Sequence, residues 1–434
     1  MAFLKSPLMT YALVLFAGHS STVLAGDLAD IYQQALKNDP QLKSAEANYR
    51  AGSEALPQAR AGLLPQASLS ADTRKIDTDT AEYNNHGYTV SLTQPVFDAS
   101  AWFTFKQGQI LTEQALTQFE LAQQSLIQRT VEAYLGVLNA DSQLETALAQ
   151  ERAIKRRLDQ VNAQFEVGLI ASTDVQEAQA TYDNALVTRI SAQGDLDNSY
   201  EALERLSGES YQRVSSLSAD YPIAAPVPAA PAEWLEKAWQ GNLSLKIARF
   251  GSESARHAAQ AARSDHLPVL SLTAGHDYDS GNLSFDDQSK TDSIGLTLSV
   301  PLYSGGATES RSRQLQYALQ QAQFDEEDAL RNVTQTTRSL LRNLNTNALR
   351  VDALKQSIRS SELALKATEE GYRVGTRNVV DVLQAEQQLY SAKRDYASAR
   401  FDFVSNLISF KLQLGTLSPE DINTLDGWLE NPAQ

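Results

Sequence analysis

The order of segments in this chain repeats itself once, and that duplication limits the possible folds more than any other feature. Leu64-Pro65-Gln66-Ala67-Ser68-Leu69-Ser70-Ala71 answers to Leu267-Pro268-Val269-Leu270-Ser271-Leu272-Thr273-Ala274, and Gln94-Pro95-Val96-Phe97 answers to Val300-Pro301-Leu302-Tyr303. Val167-Gly168 and Asp174-Val175 answer to Val374-Gly375 and Asp381-Val382 at a constant offset of 207. Chance does not keep such blocks in order, so the chain is one architecture written twice. Pro222, Pro226, Pro228 and Pro231 mark the join, which predicts repeats over 26–221 and 222–434.

Each repeat opens with a segment rich in Ala, Gln, Glu and Leu, Leu28 to Arg60 and Trp234 to Arg263, which reads as broken helix. A pair of alternating stretches follows. Leu270, Leu272 and Ala274 alternate with Ser271, Thr273 and Gly275, and Ile294, Leu296, Leu298 and Val300 with Ser293, Gly295, Thr297 and Ser299. A period of two predicts strands with one apolar face and one small, polar face. In the first repeat Val90, Leu92 and Val96 alternate with Ser91, Thr93 and Pro95. Arg74 to Gly87 and His276 to Asp292 read as polar loops, the second carrying Asp277, Asp279, Asp286, Asp287 and Asp292.

Proline is then absent from Pro95 to Pro222 and from Pro301 to Pro419. Trp102 to Glu166 therefore reads as one helix of roughly 100 Å. Its lower part keeps a seven-residue repeat, Ala140, Leu144, Ala147, Glu151, Ile154, Leu158, Val161 and Phe165, which the second repeat answers with Asn347, Val351, Leu354, Ile358, Ser361, Leu365, Thr368 and Tyr372. The returning helices carry the same period, from Val175 to Leu206 and from Val382 to Gln413. A 3.5-residue period imposes left-handed supercoiling, so each repeat should end in an antiparallel coiled-coil hairpin that turns at Gly168 or Gly375.

The first 25 residues read as an export signal, with Lys5, an apolar stretch from Leu8 to Ala17, and Val23-Leu24-Ala25 before the cut. No later stretch reaches the 18 or so apolar residues of a spanning helix, so a membrane crossing would have to use strands. The chain has no cysteine, and its net charge of −16 disfavours nucleic acid. Four strands of roughly eight to ten residues have the length for a tilted barrel but cannot close one. Either the sheet packs on itself, or several chains share a barrel.

Beyond these patterns, the chain resembles the TolC family of bacterial outer-membrane efflux and secretion ducts. The resemblance runs from Asp30-Ile31-Tyr32-Gln33-Gln34-Ala35 through Gly371-Tyr372-Arg373-Val374-Gly375-Thr376-Arg377 to Val380-Asp381-Val382-Leu383. It implies a mixed α/β membrane protein, a homotrimer whose twelve-stranded barrel sits in outer-membrane lipid and continues as a helical periplasmic tunnel. It also implies a periplasmic adaptor, or membrane fusion protein, and an inner-membrane transporter of the resistance-nodulation-division, ABC or major-facilitator type. No cofactor or metal is implied. On the same ground Tyr372 and Arg377 match the family's entrance latch, with Thr173 and Asp174 as acceptors on a neighbouring coil. A guanidinium fork bonded to a carboxylate is sound chemistry for such a latch. Asp381 matches a ring of entrance carboxylates, and Gln384 stands where the family pattern has a second acidic ring. Val167-Gly168-Leu169 and Val374-Gly375-Thr376 match the adaptor-facing tips.

Two rival classes are open to a chain of this pattern. An enzyme finds little support, because the five histidines lack ligand spacing and neither a nucleophile elbow nor a phosphate loop occurs. A periplasmic structural or adaptor protein built on coiled coils would share the signal and the heptads, but it has no need of two strand pairs.

Overall fold

The computed structural model describes residues 25–228, 230–281 and 288–430. The export-signal reading and the loop carboxylates Asp286 and Asp287 lie outside the described residues. Ten helices are present among them: α1 (Leu28–Asn38), α2 (Pro40–Ser53), α3 (Ala55–Ala61), α4 (Ala99–Glu166), α5 (Ser172–Ser207), α6 (Pro231–Gly241), α7 (Leu243–Ser264), α8 (Ala307–Arg373), α9 (Val379–Gln413) and α10 (Pro419–Asp426). Four long strands, β1 (Gln66–Thr78), β2 (Ala81–Phe97), β3 (Val269–Gly281) and β4 (Gln288–Ser299), form one antiparallel sheet in that order.

The duplication reaches the helix caps. Asp39 caps α2 through the Leu42 N–H at 3.0 Å, and Asn242 caps α7 through the Leu245 N–H at 2.9 Å. In both places a short polar side chain in an extended turn satisfies an orphan amide while the chain changes direction. Asp39 also receives both terminal nitrogens of Arg129 on α4, at 3.2 and 2.6 Å. Burial alone would push its carboxyl up, but the Arg129 and Leu42 bonds more than offset that and hold it below the usual carboxylate range.

The strands are longer than the sequence pattern predicts, and the polar stretches read as loops are mostly paired backbone. Thr73 pairs with His86 and Thr78 with Ala81, while Asp277 pairs with Thr291 and His276 with Asp292. Ladder hydrogen bonds are indifferent to side-chain polarity, so a hairpin can run on past its apolar stretch. The ladder slips between Pro95 and Phe97, where proline offers no N–H.

Cross-strand register sorts the sheet into two faces. One row joins Ala67, Leu92, Ala274 and Ile294, and the next joins Gln94, Leu272 and Leu296. Leu69, Ile294, Leu296 and Leu298 are all more than 60% exposed, an uncovered apolar band. Tyr88 and Tyr278 stack at 5.3 Å at its far margin. The opposite face is polar: Ser68 and Ser91 share a hydrogen bond of 2.7 Å, and Thr89 donates to Asp277 at 2.6 Å. Within one chain the outer edges of β1 and β4 have no partner strand among the described residues.

Below the sheet α4 and α8 descend as unbroken helices of 68 and 67 residues. At 1.5 Å per residue that is about 100 Å each. No helix among the described residues is long and apolar enough to cross a membrane. The cores lie along these helices. One joins α1, α4, α5 and α10 around Leu28, Ile31, Tyr134 and Ile422, and a second joins α6 to α9 around Leu245, Leu344, Phe403 and Phe410. Toward the far end α5 packs on α4, α4 on α9 and α9 on α8.

Candidate functional site

The end of the molecule remote from the sheet is made by two turns of matching construction. Gly168 and Gly375 have φ of +76° and +80°, and nothing lies within 4 Å of where a Cβ would stand at either. Glycine is needed there for backbone conformation and not for space. The Leu169 N–H reaches back to the Gln164 carbonyl and the Thr376 N–H to the Gly371 carbonyl, both at 2.9 Å, closing α4 and α8 in the same way. Val167, Leu169 and Val374 project from these turns, each about 70% exposed. Such apolar tips suit contact with another protein.

Where the chain turns upward again, the two hairpins part. Asn378 and Asp381 form a capping box on α9: the Asp381 N–H donates to the Asn378 side chain at 2.8 Å, and the Asn378 N–H donates to the Asp381 carboxylate at 3.2 Å. The equivalent residues of the first hairpin are Ala171 and Asp174, and Ala171 has no side chain to cap with. Among the described residues the Asp174 carboxylate and the Thr173 hydroxyl therefore find no side-chain partner within the chain.

The remaining sequence-predicted residues fall close by. Arg377 folds back over Gly371, where an added Cβ would stand 2.8 Å from its Cγ, and its guanidinium lies 3.9 Å from Asp381. A single chain thus sets Arg377 beside Asp381 and does not bring it to Asp174 or Thr173. Tyr372 donates its hydroxyl to the Gln164 side chain at 2.6 Å. Its ring sits in an apolar cluster with Ile154, Leu158, Val161, Ala178, Val379 and Leu383, which gives the starts of α5 and α9 a common floor. Gln384 is exposed, three residues beyond Asp381 and so on the same helix face. Phe165, the first-hairpin equivalent of Tyr372, is 45% exposed and does not close the seam as its heptad position predicts. It sits in the last turn of α4.

Pattern reading missed one polar group altogether. Arg157 on α4 donates to Glu369 on α8 at 2.7 Å and to Glu386 on α9 at 3.3 Å. Burial pushes the Glu386 carboxyl above its usual range even though Arg157 pulls it down. Tyr390, one turn further along α9, is also raised by burial and by the charge of Glu386. Further up the same contact Arg394 donates to Gln150 at 3.0 Å and Ser398 to Asn139 at 2.9 Å. Only the adjacency of these charges to heptad positions, Arg157 beside Leu158 and Glu386 beside Ala385, hints at this in the sequence.

Known proteins share the fold that carries these tips. The family model described as outer membrane efflux protein matches residues 31–209 and 234–416. Outer membrane protein TolC of Vibrio cholerae is 37% identical over 420 residues, covering 95% of each chain. Alkaline protease secretion protein AprF of Pseudomonas aeruginosa is 30% identical over 411 residues, covering 91% of this chain and 85% of AprF. Among solved structures, CusC superimposes with a TM-score of 0.81 at 17% identity, covering 90% of this chain and 92% of that one, a likeness of fold.

Proposed function

This chain belongs to the outer membrane efflux protein family, and from that premise we propose that three copies assemble into an outer-membrane duct through which efflux substrates or secreted proteins leave the cell. The observation that carries the reading is the four-stranded sheet, with one apolar face, one polar face and two outer edges that have no partner strand among the described residues. An open edge with a lipid-suited face is stable only when another copy continues the ladder. Two copies would make eight strands, whose interior side chains fill, whereas three make twelve and leave a water-filled lumen. The chain acts as a conduit and not as an enzyme. We read it as an export signal over 1–25 followed by repeats over 26–221 and 222–434.

The hairpin tips form the periplasmic entrance on this reading. Arg377 of one copy reaches the Asp174 carboxylate and Thr173 hydroxyl of the next, which the missing cap at Ala171 leaves available, while Tyr372 holds the seam through Gln164. Three copies of Asp381 narrow the opening and favour cations, and with Gln384 in place of a second carboxylate the trap for multivalent cations is shallower. Val167, Leu169, Val374 and Thr376, around Gly168 and Gly375, meet a periplasmic adaptor that joins the duct to an inner-membrane pump of the resistance-nodulation-division, ABC or major-facilitator type. The similarity to AprF, named for protease secretion, favours a protein cargo alongside small molecules.

Native mass measurement of the detergent-solubilised protein tests the assembly. The expected result is three copies with conductance in planar bilayers, and a stable, membrane-inserted monomer would overturn it.

A further inference from the structure

The cluster joining the two coiled coils has an unbalanced charge. Arg157 serves two carboxylates, Glu369 at 2.7 Å and Glu386 at 3.3 Å, so the trio carries one net negative charge when all three are ionised. Glu386 is only 5% exposed, and the Arg157 side chain 12%. Among the described residues Glu386 Oε2 and Arg157 Nε find no hydrogen-bond partner, although both are buried. A charge so placed is costly unless it is paired and its lone pairs are satisfied.

The groups facing it do not supply the missing partner. From α4 come Arg156 and, nearer Tyr390, Arg152, which act through space, and from α8 comes the competing carboxylate of Glu369. Tyr390 lies one turn away on α9 and donates its hydroxyl to the Ala149 carbonyl, and α5 contributes Tyr182 to the adjoining apolar cluster.

We propose that Glu386 is a proton-linked clasp, taking up a proton when the α8–α9 hairpin is packed against α4 and releasing it when that hairpin swings away. A neutral carboxyl still offers Arg157 an acceptor, and it leaves the guanidinium balanced by Glu369 alone. The raised affinity of buried Glu386 for a proton fixes the sign. The packed state binds a proton that the solvated state gives up, so acid tightens the seam, and this contribution is lost as pH rises through the raised value. The proposal rests on the reading of the tips as the entrance only for its consequence, an entrance that opens less readily in acid.

Hydrogen exchange on the detergent-solubilised trimer tests it without any conductance measurement, so its failure is distinct from failure of the duct reading. Protection of the α9 amides from Val382 to Leu389, corrected for intrinsic rates, should rise severalfold as pH falls from about 8 to about 4, because the response is complete only below the ordinary carboxylate range. Glu386→Gln, which is isosteric, should be well protected and flat with pH. Glu369→Gln removes the competing charge and should move the response to lower pH. A flat or inverted response in the unmodified protein, or an unchanged response in Glu386→Gln, would overturn the proposal.

Discussion

The two hairpins share a heptad register and differ in what covers it. In the first, Ala140, Leu144, Ala147, Ile154, Leu158 and Val161 on α4 are all buried. Of the equivalent residues on α8, only Val351 is buried, and the others are half-buried. The cause is position. α4 lies between α5 and α9, whereas α8 toward the tip packs mainly on α9, with Tyr372 and Glu369 reaching α4. The seam side chains add to this, because Ser361 and Thr368 stand where Ile154 and Val161 stand in the first hairpin. A duplicated pattern thus specifies a duplicated shape without duplicating burial, and within one chain the second hairpin is the less covered of the two.

The largest expected contrast tests this asymmetry directly. Leu158→Ala, at a site 3% exposed, should cost about 2–5 kcal/mol, as buried leucine truncations do. Leu365→Ala, its half-buried equivalent, should cost about 1 kcal/mol in proportion to the smaller area covered. Denaturant unfolding of the two trimers measures both, and equal losses would remove the asymmetry. A smaller effect concerns the caps. Asn378→Ala should destabilise the start of α9 by about 1 kcal/mol, and Ala171→Asn, which recreates the Asn-x-x-Asp box in the first hairpin, should stabilise α5 by a similar amount. Local hydrogen exchange reads both changes. No gain at Ala171→Asn would mean that Asp174 is already engaged by a neighbouring copy.

Much of this architecture is legible in the sequence because it is carried by backbone periodicity. Alternation across Leu270 to Ala274 and Ile294 to Val300 marks the strands, and the absence of proline marks α4 and α8. The strand ends were hidden because Thr73 to Thr78 and Ala81 to Gly87 pair through backbone atoms, leaving no apolar alternation to read. At the tips, resemblance picks out Thr173, Asp174, Tyr372, Arg377 and Asp381, and the Asn378 box against Ala171 could have been found by aligning the chain with itself. Arg157, Glu369 and Glu386 leave only the hint that two of them stand beside heptad positions. A heptad treats charges off the seam as solvated, and these three are brought together only when α9 packs on α4, a third contact that no two-helix period encodes.

The asymmetry meets function in single-channel conductance. Tyr372→Phe with Arg377→Ser loosens the second tip, and Phe165→Leu with Ile170→Ser alters the equivalent positions of the first. Stability should change little at Arg377, since its side chain is 61% exposed and such pairs contribute only about 0–1 kcal/mol. Conductance should nevertheless rise several-fold in the second-tip variant and stay at the level of the unmodified protein in the first-tip variant. Equal conductance in the two, or a rise confined to the first, would contradict the assignment of the moving element to the α8–α9 hairpin.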